Sequence, residues 1–311
     1  MRLAFAGTPD FAVPSLHAAR AAGHEIASVL TQPDRPAGRG RRLTPPPIKR
    51  AAQEAGLPVQ QPCNLDAAAL REAAGDAGLD ALIVVAFGQI LPREVLAAPR
   101  LGAINVHASL LPRWRGPAPI ARALLAGDDE TGVTIMRMQP GVDTGPVLLR
   151  RRCPIAADDT AARLHDRLAR LGGDALAAVL ADLAGHLAGA EAQSPAQACH
   201  APKLTRAEGA IDWTAPAAEI AWRVRALQPW PGAWTTLAGE TLRVWGAECV
   251  SAAADAAAPP ATVIAAGRAG IDVAAGQDAL RITRLQPAGR RAMDAGDFVN
   301  ARHVLGCRLG T

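Results

Sequence analysis

A chain of 311 residues, half of it apolar, is long enough for two cores, and its 33 basic against 29 acidic side chains leave a net charge of only +4. Five cysteines at 63, 153, 199, 249 and 307 form no C-x-x-C pair and, being odd in number, no complete disulfide framework. With no apolar run near the roughly 20 residues that span a bilayer, and an amino terminus interrupted too early by Gly7 and Pro9 for a signal peptide, a cytoplasmic protein without a metal is expected.

Leu3 to Ala6 predicts a short buried strand, and Gly7-Thr8-Pro9-Asp10 a turn into a helix ending near Gly23, with Pro14 tolerated in its first turn. Dinucleotide-binding folds begin this way, but their fingerprint needs closely spaced glycines and Gly7 stands alone. Glu25 to Thr31 is a second strand. The stretch from Pro33 to Arg50 then sets Arg35, Arg39, Arg41, Arg42, Lys49 and Arg50 against Asp34 alone, a local excess larger than the net charge of the whole chain. Its prolines and glycines predict a mobile arm without regular structure, either a phosphate contact or a solvated loop. Leu65 to Ala74 reads as helix. Asp80 to Ala86 is a continuous apolar run that fits a strand buried on both faces of a parallel sheet. It leads into Phe87-Gly88-Gln89-Ile90-Leu91-Pro92, an apolar loop at the strand's carboxyl end.

Within Gly102 to Pro119 the residues Ile104, Val106 and Ala108 alternate with Asn105, His107 and Ser109, which puts Asn105 and His107 on one face of a strand. A Pro-rich loop follows at once, so both side chains stand at the carboxyl edge of a sheet, where open α/β folds bind ligands. Asp143, in the Gly-flanked turn from Pro140 to Pro146, is a third candidate. An amide to donate to an oxyanion, an imidazole to shuttle a proton and a carboxylate to orient it would suit acyl transfer. Spacing alone leaves a satisfied structural pair open.

Further along, Ala118 to Ala126 predicts a helix, and Thr131 to Met138 and Val147 to Ile155 predict strands paired across the Asp143 turn. Arg150, Arg151 and Arg152 read as edge charges. Asp159 to Leu187 carries leucines at helical spacing, broken near Gly172-Gly173, with His165 and His186 structural. Gly189 to Pro202 loses periodicity and reads as a linker, and Cys199-His200 within it has no orienting carboxylate nearby. Ala215 to Gln228 is an amphipathic helix. From Ala233 onward short runs separated by glycines have the spacing of a small β-barrel of the oligonucleotide-binding kind, with tryptophans mostly filling its core.

Asn105-Val106-His107 running into Ser109-Leu110-Leu111-Pro112, then Arg115-Gly116-Pro117-Ala118-Pro119 and Gly141-Val142-Asp143-Thr144-Gly145, closely resembles the 10-formyltetrahydrofolate-dependent formyltransferases. Ala6-Gly7-Thr8-Pro9-Asp10-Phe11-Ala12, Lys203-Leu204-Thr205 and Ile211-Asp212-Trp213 narrow the resemblance to the members that act on methionyl initiator tRNA, over nearly the entire chain. It implies an α/β fold: a Rossmann-like, mostly parallel formyltransferase domain over 1–188, a linker over 189–205, and an OB-like barrel for tRNA over 206–311. It also implies 10-formyltetrahydrofolate as formyl donor, its pterin held at Gln89, Ile90 and Leu91, with Ser109, Leu110, Leu111 and Pro112 as further folate contacts. Arg39, Arg41 and Arg42 in the basic loop, with Lys203, would reach the tRNA. Asn105 would hold the oxyanion, His107 against Asp143 would protonate the leaving nitrogen, and Asp143 would receive the amine proton. The competing expectations are a formyltransferase for a small amine such as glycinamide ribonucleotide or an amino sugar nucleotide, a formyl-folate hydrolase, and a noncatalytic RNA-binding protein. The last leaves Asn105, His107 and Asp143 unexplained.

Overall fold

The apolar runs of the first half assemble into one sheet. In the computed structural model, which describes residues 1–38, 40–75, 77–251 and 258–310, its strands are β1 (Arg2–Gly7), β2 (Glu25–Leu30), β3 (Val59–Gln60), β4 (Ala81–Val85), β5 (Ala103–His107), β6 (Glu130–Arg137) and β7 (Val147–Pro154). They lie in the order β3-β2-β1-β4-β5-β6-β7. The first five are mutually parallel, while β6 and β7 run antiparallel across the turn that carries Asp143. Every residue of β4 and β5 is buried, as continuous apolar strands between helical layers require. The chain winds outward from β1 to β3 and resumes at β4 on the other side of β1, so the order reverses between β1 and β4. Ligands of such sheets bind at the carboxyl ends beside that reversal. Gly7 closes β1 for reasons of space: a Cβ there would lie 2.8 Å from Ala12 Cβ.

Two expectations need correction. The basic stretch is not irregular: Arg35–Ala37 pairs with Arg42–Thr44 as a hairpin, and Pro47–Glu54 is a helix that buries Ile48 and Ala52. The Lys49 ammonium donates to both Asp34 oxygens (2.8 and 2.9 Å) and to Gln61 Oε1 (2.7 Å), and the Gln61 amide donates to Gln32 O (2.8 Å). That network fixes both ends of the stretch, and the hydrogen bonds from Lys49 and Gln61 hold the Asp34 carboxyl below its usual range. The second correction concerns the long helix, which runs unbroken over Ala161–Ala181. Gly172 serves close packing on the sheet, since a Cβ there would sit 2.9 Å from Val106 Cγ1 on β5. The break falls instead at Asp182, whose side chain caps Leu183–Ala188 by accepting from Gly185 N.

The chain divides into two compact units, one comprising Met1–Pro119, Glu130–Pro154 and His165–Ala201, the other Ile120–Asp129, Ile155–Leu164 and Pro202–Thr311. The second contains an antiparallel sheet of β8 (Ala233–Leu237), β9 (Glu240–Val250), β10 (Val263–Gly267), β11 (Gly270–Ala274), β12 (Ala279–Pro287) and β13 (Met293–Asp294), in the order β8-β9-β12-β11-β10 with β13 beside β12. Arg308 and Leu309 bridge its two edges, Leu309 to Leu237 on β8 and Arg308 to Thr262 just before β10, which turns the sheet into a barrel. The helix Ala217–Ala226 lays Ala217, Ile220, Ala221 and Val224, the i, i+3, i+4, i+7 stripe, into the core with Val244, Ile282 and Leu285. Trp213 is part of that core and donates its indole N–H to Thr235 Oγ1 at 3.0 Å, whereas Trp230 is 50% exposed.

Candidate active site

Strand alternation delivers Asn105 and His107 to one face of β5, and neither is more than 8% exposed. Asp143 reaches them from the loop between β6 and β7, in a left-handed backbone conformation (φ +52°) that is uncommon for a residue with a side chain. Its two carboxylate oxygens divide their partners. Oδ1 faces Asn105 Nδ2 at 3.4 Å, a long contact. Oδ2 accepts from Gly116 N at 2.8 Å and lies 3.5 Å from His107 Nδ1. The other ring nitrogen of His107, Nε2, is 2.9 Å from Trp114 O. A carbonyl can only accept, so Nε2 carries a proton, and both imidazole nitrogens are turned toward acceptors. The structure thus brings the three expected residues together around a carboxylate, with the 113–116 loop closing the opposite side.

That loop and the Asp143 turn share a brace that sequence reasoning missed. The stretch read as a linker is tied to the first unit as far as Ala201. Glu191 and Val147 exchange backbone hydrogen bonds (2.9 and 2.8 Å), Trp114 N donates to Cys199 Sγ at 3.2 Å, and Ala201 N donates to Arg115 O at 2.6 Å. Gln193, 9% exposed, donates its amide to Asp143 O (2.9 Å) and Gly145 O (2.6 Å), and its Oε1 accepts from Arg115 Nε (3.0 Å) and Nη2 (2.8 Å). No periodicity marks Gln193, because its partners lie 48 to 50 positions earlier at the turn and 78 earlier at Arg115.

The residues expected at the folate are largely committed through their side chains. Gln89 donates to Pro62 O and Cys63 O and accepts from Leu65 N, Leu91 is buried, and Ile90 is 93% exposed. Ser109 is fully buried and donates to Arg113 O at 2.7 Å. Leu111 packs with Met136 and Val147, Leu110 lies under Gly132, and Pro112 follows a cis peptide bond. What Gln89 and Leu91 leave to a ligand is their backbone, whereas the Ser109 carbonyl already accepts from Thr134 Oγ1 at 2.7 Å.

Of the expected tRNA contacts, Arg41 and Arg42 are exposed on the basic hairpin, and Arg39 lies outside the described residues. Lys203 is exposed in the second unit, where its neighbours are clasped. Arg122 donates to Glu208 Oε1 (2.6 Å) and to Pro202 O (3.0 Å), while Thr205 N and Oγ1 donate to Glu208 Oε2 (2.7 and 3.0 Å). Burial pushes the Glu208 carboxyl up, but the hydrogen bonds from Arg122 and Thr205 outweigh it and hold the group below its usual range.

Among the described residues no helix is long and apolar enough to cross a membrane. Known proteins share this fold. A solved N-formyltransferase from Helicobacter canadensis, in complex with folinic acid and dTDP-3-aminofucose, has the same fold at 15% identity (TM-score 0.67), covering 93% of this chain and 99% of that one. HypX from Aquifex aeolicus in complex with tetrahydrofolic acid matches at 17% identity (TM-score 0.59) over 96% of this chain and 47% of its own, so this chain spans about half the length of that protein. A methionyl-tRNA formyltransferase from Methylococcus capsulatus (strain ATCC 33009 / NCIMB 11132 / Bath) is 52% identical over 311 residues, all of both chains. Residues 1–180 match the family model "Formyl transferase" and residues 203–303 the model "Formyl transferase, C-terminal domain", so the strand that presents Asn105 and His107 and the barrel that follows are those of a member of the formyl transferase family.

Proposed function

We propose that this chain transfers the formyl group of 10-formyltetrahydrofolate to the amino group of methionine esterified to initiator tRNA. The observation that carries the reading is the meeting of Asn105, His107 and Asp143 at the end of β5, in a chain 52% identical over its full length to a methionyl-tRNA formyltransferase. The neutral amine attacks the formyl carbon and leaves an oxyanion on a tetrahedral centre. Asn105 has two amide hydrogens, one directed at Asp143 Oδ1, and the second is the donor for that oxygen. The Nε2 proton of His107, given to Trp114 O in this structure, is the one re-aimed at the folate nitrogen as it departs. Asp143 Oδ1, which faces Asn105 across a long contact, receives the amine proton directly or through water. After the product leaves, Asp143 gives the amine proton to solvent and His107 Nε2 takes one back from it, while Asp143 Oδ2, 3.5 Å from Nδ1, keeps the ring oriented.

The pterin is read at the backbone of Gln89, Ile90 and Leu91, with Ser109 to Pro112 beneath the reacting group. Arg39, Arg41, Arg42 and Lys203 are read as phosphate contacts on the tRNA, in a division of labour between a folate and catalytic domain over 1–188, a connection over 189–205 and a tRNA domain over 206–311. The cytoplasm, where initiator tRNA is used, is the proposed compartment. A sugar-nucleotide acceptor is supported by likeness of fold alone, at 15% identity. Incubation with 10-formyltetrahydrofolate and charged initiator tRNA, followed by detection of formylmethionine, tests the reading. Formylation of an amino sugar nucleotide with none on the tRNA would refute it.

A further inference from the structure

The Asp143 turn has no regular structure of its own, and its catalytic side chain sits on a residue with φ +52°. Such a conformation persists only where the surroundings over-determine it. Two groups do so from outside the turn. Gly116 N–H holds the carboxylate (2.8 Å), and the Gln193 amide holds the backbone that follows, at Asp143 O (2.9 Å) and Gly145 O (2.6 Å). The same Gln193 accepts two N–H groups from Arg115, the residue before Gly116. One nearly buried amide therefore spans the Asp143 turn and the loop whose N–H orients the carboxylate. It is carried there by the backbone pairing of Glu191 with Val147 at the start of β7.

We propose that Gln193 is a positioning residue for the reaction: it sets the distance from Asp143 to His107 and Asn105 by locking two loops to one another. The proposal rests on the reading of Asp143 as catalytic given above. Gln193 touches no reacting atom in that scheme, so its loss acts through what it holds: the Asp143 turn directly and, through Arg115, the 113–116 loop. A carboxylate displaced by about 1 Å costs about 10²-fold in rate, and the substrates' own contacts are untouched.

Gln193→Ala is therefore expected to lower kcat about 10²-fold with KM for folate and tRNA unchanged. Gln193→Glu guards against misfolding. It is nearly isosteric and keeps the acceptor for Arg115, but it puts an oxygen where one amide nitrogen donates to the carbonyls of Asp143 and Gly145, and it should match the alanine variant in kcat while keeping the parent's circular dichroism. On an Asp143→Asn background in single-turnover measurements, Gln193→Glu should add no further loss, because the group it positions is gone. A parental kcat for Gln193→Glu overturns the proposal, as does an equal, additive loss in both backgrounds, which would mean a general structural role. If Asp143→Asn alone turns over at the parental rate, it is the assignment of Asp143 that fails, and that outcome is read independently of Gln193.

Discussion

Replacing Gly116 by alanine tests the placement of Asp143 without touching any side chain of the site. Gly116 adopts φ +121°, a conformation that costs a residue with a Cβ roughly 1–3 kcal/mol. The added Cβ would lie 2.7 Å from Ala201 O and 3.0 Å from His200 Cε1, well inside the roughly 3.5 Å at which non-bonded carbons attract. Ala201 cannot easily yield, since its N–H is bonded to Arg115 O and its carbonyl accepts from Ala118 N. Overpacking of this kind adds roughly 1–3 kcal/mol. At about 2–4 °C per kcal/mol for a unit of this size, the melting temperature should fall by roughly 10 °C. The N–H that holds Asp143 Oδ2 must move with its residue, so kcat should fall about 10²-fold. Gly23→Ala is the control: φ is +79°, but nothing lies within 4 Å of the new Cβ, so it loses about 1–2 kcal/mol and keeps full activity. Scanning calorimetry and steady-state formylation of both variants decide the matter. If the two are indistinguishable in melting and in rate, Gly116 neither braces the loop nor orients the carboxylate.

The same geometry bears on three other residues or pairs. Asn105→Ala should cost two to three powers of ten in kcat, about 2.7–4 kcal/mol, with circular dichroism unchanged; turnover near the parental rate at saturating folate removes it from the oxyanion site. Arg41→Gln with Arg42→Gln should lower the logarithmic salt slope of tRNA binding by about 0.9 for each phosphate no longer neutralised and leave folate binding alone, and a slope equal to the parent's in a filter-binding salt titration would take the hairpin out of tRNA recognition. Glu208 has a folded pKa below its unfolded one, so it stabilises the second unit above the unfolded value and loses that contribution as pH falls through the folded value. Glu208→Gln should therefore flatten the acid limb of the melting temperature, and an unaltered limb would show that the Arg122 clasp contributes nothing.

The alternation of Ile104, Val106 and Ala108 with Asn105 and His107 was legible because a strand's period is local, and so was the pairing of the two strands that flank Asp143. The apolar run before Ala86 betrayed a doubly buried strand for the same reason. Gly172 misled because a glycine in a helix reads as a break, whereas its meaning lies in Val106, far along the chain and beneath it. The basic stretch looked irregular because its order comes from Lys49, Asp34 and Gln61 meeting across a turn, where only the charges were visible in one dimension. Gln193 was the hardest: a polar side chain that binds backbone atoms needs no complementary residue type, and nothing in the neighbouring sequence announces it.

The closure of the barrel by Arg308 and Leu309 has a consequence for synthesis on the ribosome. Until the segment from Gly306 onward has been made, β10 and the segment leading into it lack the groups that pair Val263, Thr262 and Ala261, and β8 is covered on its outer side only where Ala210 and Ile211 meet Trp234, although the strands between them are already complete. A nascent or prematurely terminated chain that stops short of Gly306 therefore offers the open side of β10, and part of that of β8, to any other strand nearby, including those of its own siblings on a polysome.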